Sequence, residues 1–435
     1  MKKILFVAAI VAVALSSCSK VDVVDSNLDN NVIGFGVYTG TSTKAAGESD
    51  VMTTEGLATA GFGVFTYYDL ATQSEGTGAT GGFDQDSSTP DFMYNTQVTG
   101  TESGESYTWS YSPMKYWPNN TNDVLSFFAY GPHSDNDSDA NGISFDAVDE
   151  MVGVPVLTYT ISDADAMVDF VVAAPVYDVQ NTTDYNLTNS TISFEFKHLL
   201  TRASFDAYVD VTDFPDVYTQ SGDDDGNTLE TDYTKVFVNK MVIIGANGTT
   251  ELVDKTNTVF AESSAGFYTS ADFTYMAKDG TASEEDVEGV GSWDFDNATT
   301  NEDDFDFSDI LDVATTAFGT YTPNGVDVGT TATPLFAGED DEEKFLFLLP
   351  AGSTGIEAGT EMYVYIEYDV VTVDENLELG YSCVTNKDVI TLTEGTLKPG
   401  YAYNYTLVIG LDEVTLSATV DEWLNDDDSY VVTPE

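Results

Sequence analysis

The chain has 435 residues, long enough for two domains with real cores. Its 14 Lys and Arg stand against 75 Asp and Glu, and the resulting formal charge of −61 excludes nucleic acid, whose phosphates demand a basic footprint. Disorder is opposed by 42% hydrophobic and 12% aromatic residues, so the charge describes a strongly solvated exterior.

At the N-terminus Lys2 and Lys3 precede an apolar run from Ile4 to Leu15, which ends in Leu15-Ser16-Ser17-Cys18. The run is too short to span a bilayer and reads as a secretory signal over residues 1–17. Its Leu-Ser-Ser-Cys ending has the form of a bacterial lipobox, which predicts acylation at Cys18 and cleavage just before it. Each buried acyl methylene contributes about 0.8 kcal/mol, so firm anchoring takes several chains. After Cys18 no apolar stretch approaches spanning length. Cys383 then has no partner within the chain and is expected to be a small buried apolar residue.

Residues 19–31 are polar and weakly patterned, a tether. Short alternating segments follow, separated by Gly, Asn, Asp, Ser and Pro. Ile33, Phe35 and Val37 alternate with Gly34, Gly36 and Tyr38; Ile192, Phe194 and Phe196 alternate with Ser193, Glu195 and Lys197. The same pattern marks Met362, Val364 and Ile366, and then Val414, Leu416, Ala418 and Val420. Each run sets apolar side chains on one face of a strand, and no long segment keeps helical spacing, so the fold is expected to be all-β. Residues 70–91, 133–142, 219–233 and 279–309, rich in Asp, Gly, Ser and Thr, read as surface loops. A domain boundary is placed near Leu200, within the strand-like stretch Thr191–Val211, and no fixed short repeat is present. At the far end, 424–428 is a polar hinge before the β-prone tail Ser429-Tyr430-Val431-Val432-Thr433-Pro434.

Chemistry is sparse. His133 and His198 lie in no metal-ligand spacing, and no nucleophile elbow or phosphate loop occurs. His198, beside Arg202, reads as structural. No carboxylate pair stands out for glycoside hydrolysis in so acidic a chain. Asp137, Asp139 and Asn141 offer oxygens at alternate positions before Gly142, as calcium loops do, but Val148 stands where the closing carboxylate belongs. Asp223, Asp225 and Asn227 are a weaker set, and solvated turns are the better reading of both. Neither a metal nor a cofactor is expected.

Several short pieces, in this order and spacing, resemble the fimbrillin (Mfa-like) family, the subunits of type V pili. They are the lipobox, the strand 31–38 with Thr43-Lys44-Ala45, and Gly61-Phe62-Gly63-Val64-Phe65. Trp109-Ser110-Tyr111-Ser112-Pro113, Lys115-Tyr116-Trp117-Pro118 and Leu125-Ser126-Phe127-Phe128-Ala129-Tyr130 follow. Phe194–Phe205 and Leu397-Lys398-Pro399-Gly400-Tyr401-Ala402-Tyr403, leading into Val414–Trp423, complete the set, which covers nearly the whole chain.

The resemblance implies two tandem β-sandwich domains of transthyretin-like, Greek-key type with long acidic loops, at 45–200 and 201–423. It implies a lipoprotein precursor carried to the outer membrane and cut by a trypsin-like protease, which removes an N-terminal strand within 18–44. The family usually has Arg or Lys at the cut. Lys44–Ala45 is the natural site here, because no Lys or Arg follows until Lys115, while a cut at Lys20 would leave the strand attached. Ile33, Phe35 and Val37 would belong to the displaced strand. Tyr430, Val431 and Val432, within the tail 424–435, would form the donor strand that enters a neighbour's groove. The partners implied are neighbouring pilus subunits and a host or bacterial surface ligand, in a fimbrium serving adhesion. The rival expectation is a non-polymerising surface lipoprotein: a pilus tip, an anchor, or a module binding glycan or host protein. An enzyme is not expected.

Overall fold

A computed structural model describes residues 32–39, 51–70, 73–74, 77–78, 81–104, 106–136, 141–181, 191–211, 234–244, 252–253, 259–260, 268–280, 286–287, 289–300, 305–336, 344–356, 362–374, 376–392, 395–410, 414–422 and 430–432. The all-β expectation holds: regular structure is nearly all strand, with one helix of seven residues and two 3-10 turns among the described residues.

The N-terminal sheet uses β1 (Gly34–Tyr38), β2 (Phe62–Asp69), β3 (Met93–Ser103), β4 (Ser106–Tyr111), β5 (Val124–Gly131), β6 (Val171–Ala173) and β7 (Thr191–His198). They pair in the order β1-β7-β6-β5-β2-β3-β4, with Val176–Gln180 also on β5. Both faces of this sheet are covered. Phe62, Val64, Leu125, Phe127 and Ala129 enter one core, while Phe65, Tyr67, Phe128 and Tyr130 enter another. That explains why β5 reads Val-Leu-Ser-Phe-Phe-Ala-Tyr-Gly without polar alternation, since a strand buried on both sides has no face to give to water.

The helix α1 (Thr54–Ala60) caps the first core. Thr53 Oγ1 accepts from Gly56 N at 3.2 Å, and Gly61 at φ 80° ends the helix. Leu57 and Ala58 face inward, and glycines make room for them. A Cβ on Gly100 would come within 2.6 Å of Ala58 Cβ, and one on Gly131 within 2.3 Å of Leu57 Cδ2.

The C-terminal strands are β8 (Thr201–Val209), β9 (Thr234–Ile244), β10 (Met362–Val373), β11 (Tyr381–Leu392), β12 (Tyr401–Ile409), β13 (Val414–Glu422) and β14 (Tyr430–Val432). One sheet runs β8-β12-β13-β14, with Thr333–Pro334 and Leu346–Leu348 both on β8; another runs β9-β10-β11. Two parallel pairings stand out among antiparallel ones, β1 on β7 and β8 on β12. Strands β7 and β8 are separated by Leu199 and Leu200, both fully buried. The backbone of this corner is held on every side: Leu199 N donates to Phe170 O, Trp293 Nε1 to Leu199 O and Gly400 N to Leu200 O.

A further five-stranded sheet joins Ile143–Phe145 and Val156–Thr160 to Tyr268–Tyr275, Gly291–Thr300 and Asp286–Val287. It therefore combines strands from both sides of position 200. It also corrects the loop expected over 279–309, because 291–300 is a strand paired with 268–275. Trp293, 7% exposed, drives it inward despite the acidic sequence around it. Within 70–91, too, Gln73–Ser74 pairs with Thr77–Gly78. Cys383 is a second correction. It is exposed, because the first half of β11 lies at the sheet edge with β10 as its neighbour, and residues 382–385 are all exposed.

Candidate functional site: the N-terminal strand and its slot

Strand β1 joins the sheet in parallel register with β7: Gly34 opposite Thr191, Phe35 opposite Ile192, Val37 opposite Phe194. Its other side is closed by the chain just beyond β4. Ile33 N donates to Lys115 O at 3.0 Å, the Tyr111 hydroxyl donates to Ile33 O at 2.8 Å, and Val32 bridges Tyr116. The start of β1 is thus tied to the chain just after β4, the strand at the other end of the sheet order. If β1 departs, the backbone edge of β7 and the Lys115 carbonyl are left needing partners.

Period-two alternation decides what β1 puts inside. Ile33, Phe35 and Val37 are 0%, 1% and 2% exposed. The Phe35 ring stacks on Phe194 at 5.5 Å, lies 5.3 Å from Tyr111, and meets Phe62 and Phe127 edge-on at 6.4 and 6.3 Å. Burying each such side chain contributes about 1.5–3 kcal/mol, so the three seats together hold the strand firmly. Gly34 and Gly36, on the alternate face, are buried as well.

Where the chain returns after β1, a buried histidine–carboxylate contact fixes it. Asp169 Oδ2 lies 2.6 Å from His198 Nδ1 and accepts from Met52 N at 2.8 Å, and both side chains are almost wholly buried. His198 is buried, and its partner is Asp169, far away in the sequence. Met52 and Leu57 belong to the same core as Ile33, Phe35 and Val37, so this pair anchors the floor of the slot. His133, the second histidine, sits 3.9 Å from Asp135, and burial lowers its pKa.

At the C-terminus β14 lies antiparallel on β13, with Val432 opposite Ala418 and Tyr430 opposite Val420; Val431 lies opposite Thr419. Leu416, Ala418 and Val420 of β13 are only partly buried against the core. Cys18, Lys44, Ala45, Asp137 and Asp139 lie outside the described residues. Asn141, the remaining calcium candidate, spends its side-chain amide on His133 O and its carbonyl on Ile143 N, as an ordinary turn does. Among the described residues no group of three or more His, Cys, Asp or Glu is disposed to hold a metal ion.

Sequence reasoning named the three inward residues of β1 but missed Tyr111, Lys115 and Asp169. Tyr111 and Lys115 did carry a signal, since both fall in motifs that marked the family resemblance. Their task is to clasp the backbone of β1.

Residues 43–220 match the fimbrillin-like family model. Over 439 aligned residues the chain is 26% identical to the fimbrium subunit Fim1C of Phocaeicola vulgatus, covering 99% of this chain and 98% of that protein. A crystal structure of a fimbrial protein from Bacteroides vulgatus superposes with a TM-score of 0.62 at 23% identity, over 90% of this chain and 99% of that one. The fimbrillin-like match thus covers residues 43–220, and the fold of that fimbrial protein is shared along nearly the whole chain.

Proposed function

We propose that this chain is a fimbrial subunit that receives a neighbour's strand once proteolysis has freed β1 from its slot. As a fimbrillin-like protein it works at the cell surface, within a fimbrium, beside other fimbrial subunits. The observation that carries the finer reading is the seating of β1. It is a complete apolar plug, yet its covalent link to the body of the fold is the 40–50 segment that contains Lys44–Ala45.

Cleavage there by a trypsin-like protease leaves β1 on the same fragment as Cys18 and its lipid. The body, from Ala45 onward, parts from both the anchor and the plug. The vacated slot then offers the edges at β7 and at Lys115, with an apolar floor between them. An incoming strand satisfies both, which is β-augmentation by strand donation. Donor and slot are different surfaces, so the contact is head-to-tail and extends without closing. The tail around Tyr430, Val431 and Val432 is the donor this chain offers to others.

A second reading has its own support. Because β14 pairs with β13 of its own chain, a tip or anchor subunit that keeps its tail at home also fits. Mass-spectrometric sequencing of the N-terminus of cell-surface material tests the proposal. A mature chain starting at Ala45 supports it; a chain starting at acylated Cys18, with no shorter form, overturns strand exchange and leaves an anchored surface lipoprotein.

A further inference from the structure

The slot of β1 and the chain's own tail do not match, and the mismatch identifies the donor. The slot has three seats in a row, filled by an aliphatic residue, an aromatic and an aliphatic: Ile33, Phe35 and Val37. The central seat is lined by the rings of Phe62, Tyr111, Phe127 and Phe194. Between the seats Gly34 and Gly36 are enclosed too, so the donor's alternate residues also meet a closed surface.

The tail reads Asp426-Asp427-Asp428-Ser429-Tyr430-Val431-Val432-Thr433-Pro434-Glu435. Three consecutive inward positions must be chosen from it at a spacing of two. Setting Tyr430 in the central seat puts Asp428 in an end seat, where a carboxylate would be stripped of water in an apolar hole. Setting Val431 there brings Ser429 and Thr433 into the end seats, polar groups in apolar holes. The register that keeps carboxylates and hydroxyls out is Tyr430-Val432-Pro434. It leaves the four-ring seat underfilled by a valine and forces a tyrosine into an end seat closed around Ile33 or Val37. Reversing the strand direction changes nothing, because the valine stays in the centre.

We infer that the slot of this subunit takes its strand from a different kind of subunit, one whose free strand carries an aliphatic–small–aromatic–small–aliphatic pattern, and not from a second copy of this chain. The inference rests on the strand exchange proposed above. Specificity of this kind comes from rejecting the near match as much as from welcoming the right one. The assembly is heterotypic at this joint, and Phe35 is the template of its donor's central residue.

The test uses the full chain carrying an engineered protease site in the 40–50 segment, cut while folded, with displacement of the β1 fragment followed by mass spectrometry. Three peptides compete: residues 32–39, the natural tail 427–435, and that tail with Tyr430→Val, Val431→Gly, Val432→Phe, Thr433→Gly and Pro434→Val, which gives it the pattern of Ile33–Val37. The 32–39 peptide and the substituted tail are expected to displace β1, with the natural tail at least about tenfold weaker. A natural tail that exchanges as readily as the substituted one overturns the inference and makes a second copy an adequate donor. Failure of even the 32–39 peptide to exchange overturns strand exchange itself, and this inference with it.

Discussion

The two ends of the described chain each lay a short strand on a sheet, and the sheets treat them differently. Strand β1 is bonded along one side to β7 and clasped on the other by Tyr111 and Lys115, with three side chains sunk in an aromatic core. Strand β14 has three residues, one neighbour, and a partner strand whose inner face is itself only half covered. Sheet pairing alone therefore says little about how tightly a terminal strand is held. What separates the two is position: β1 is held on both sides and completes a core, whereas β14 pairs with one strand at a sheet edge.

Substitutions at the two ends should differ accordingly. Phe35→Ala empties the central seat and is expected to destabilise the intact chain by about 3–5 kcal/mol in urea unfolding, the range for deleting a buried aromatic side chain. A loss below about 1 kcal/mol would show that β1 lies outside the cooperative core.

Tyr111→Phe removes the hydroxyl that holds Ile33 O and is expected to cost about 1 kcal/mol. It also carries a pH signature. Burial pushes the Tyr111 hydroxyl from 10.0 up to about 12. A group whose folded value is raised gives stability that is complete below its unfolded value and is lost as pH rises through the folded one. The advantage of the parent chain over Tyr111→Phe should therefore shrink between pH 10 and about 12; an advantage that is flat over that window would assign the stabilisation to packing alone.

Removing residues 424–435 should have the smallest effect, under about 1 kcal/mol, since it deletes a few edge pairings. If the melting point falls as far as it does with Phe35→Ala, the contrast between the ends fails.

Much of this contrast could be read from the sequence, but only on the side that local pattern reaches. The alternation of Ile33, Phe35 and Val37 announces an inward face, and the structure buries all three. Nothing local says that β1 pairs with β7 in parallel, because the partner lies far along the chain and a period of two looks the same in either orientation. Asp169 escaped notice for the same reason: one carboxylate among 75 Asp and Glu is marked only by the histidine that folding brings to it. The strand 291–300 was hidden by its own composition, since Asp294, Asp296 and Asn297 mask the anchoring of Trp293 and the partly buried Phe295. Cys383 misled in the opposite direction. Without a disulfide partner it reads as a small buried residue, but the first half of β11 lies at the sheet edge and exposes it.

The buried corner at Leu199–Leu200 has a mechanical consequence. A strand seated beside β7 and pulled along its own axis loads all its backbone hydrogen bonds at once, in shear, instead of peeling them one after another. That pull passes down β7 to its end, and two residues later the same backbone is β8, paired in parallel with β12 over eight positions. Because two backbone hydrogen bonds and one from the Trp293 indole pin the corner, it cannot straighten like a slack loop. If the slot takes a neighbour's strand as proposed, tension entering there is handed to the C-terminal sheet through a stiff joint.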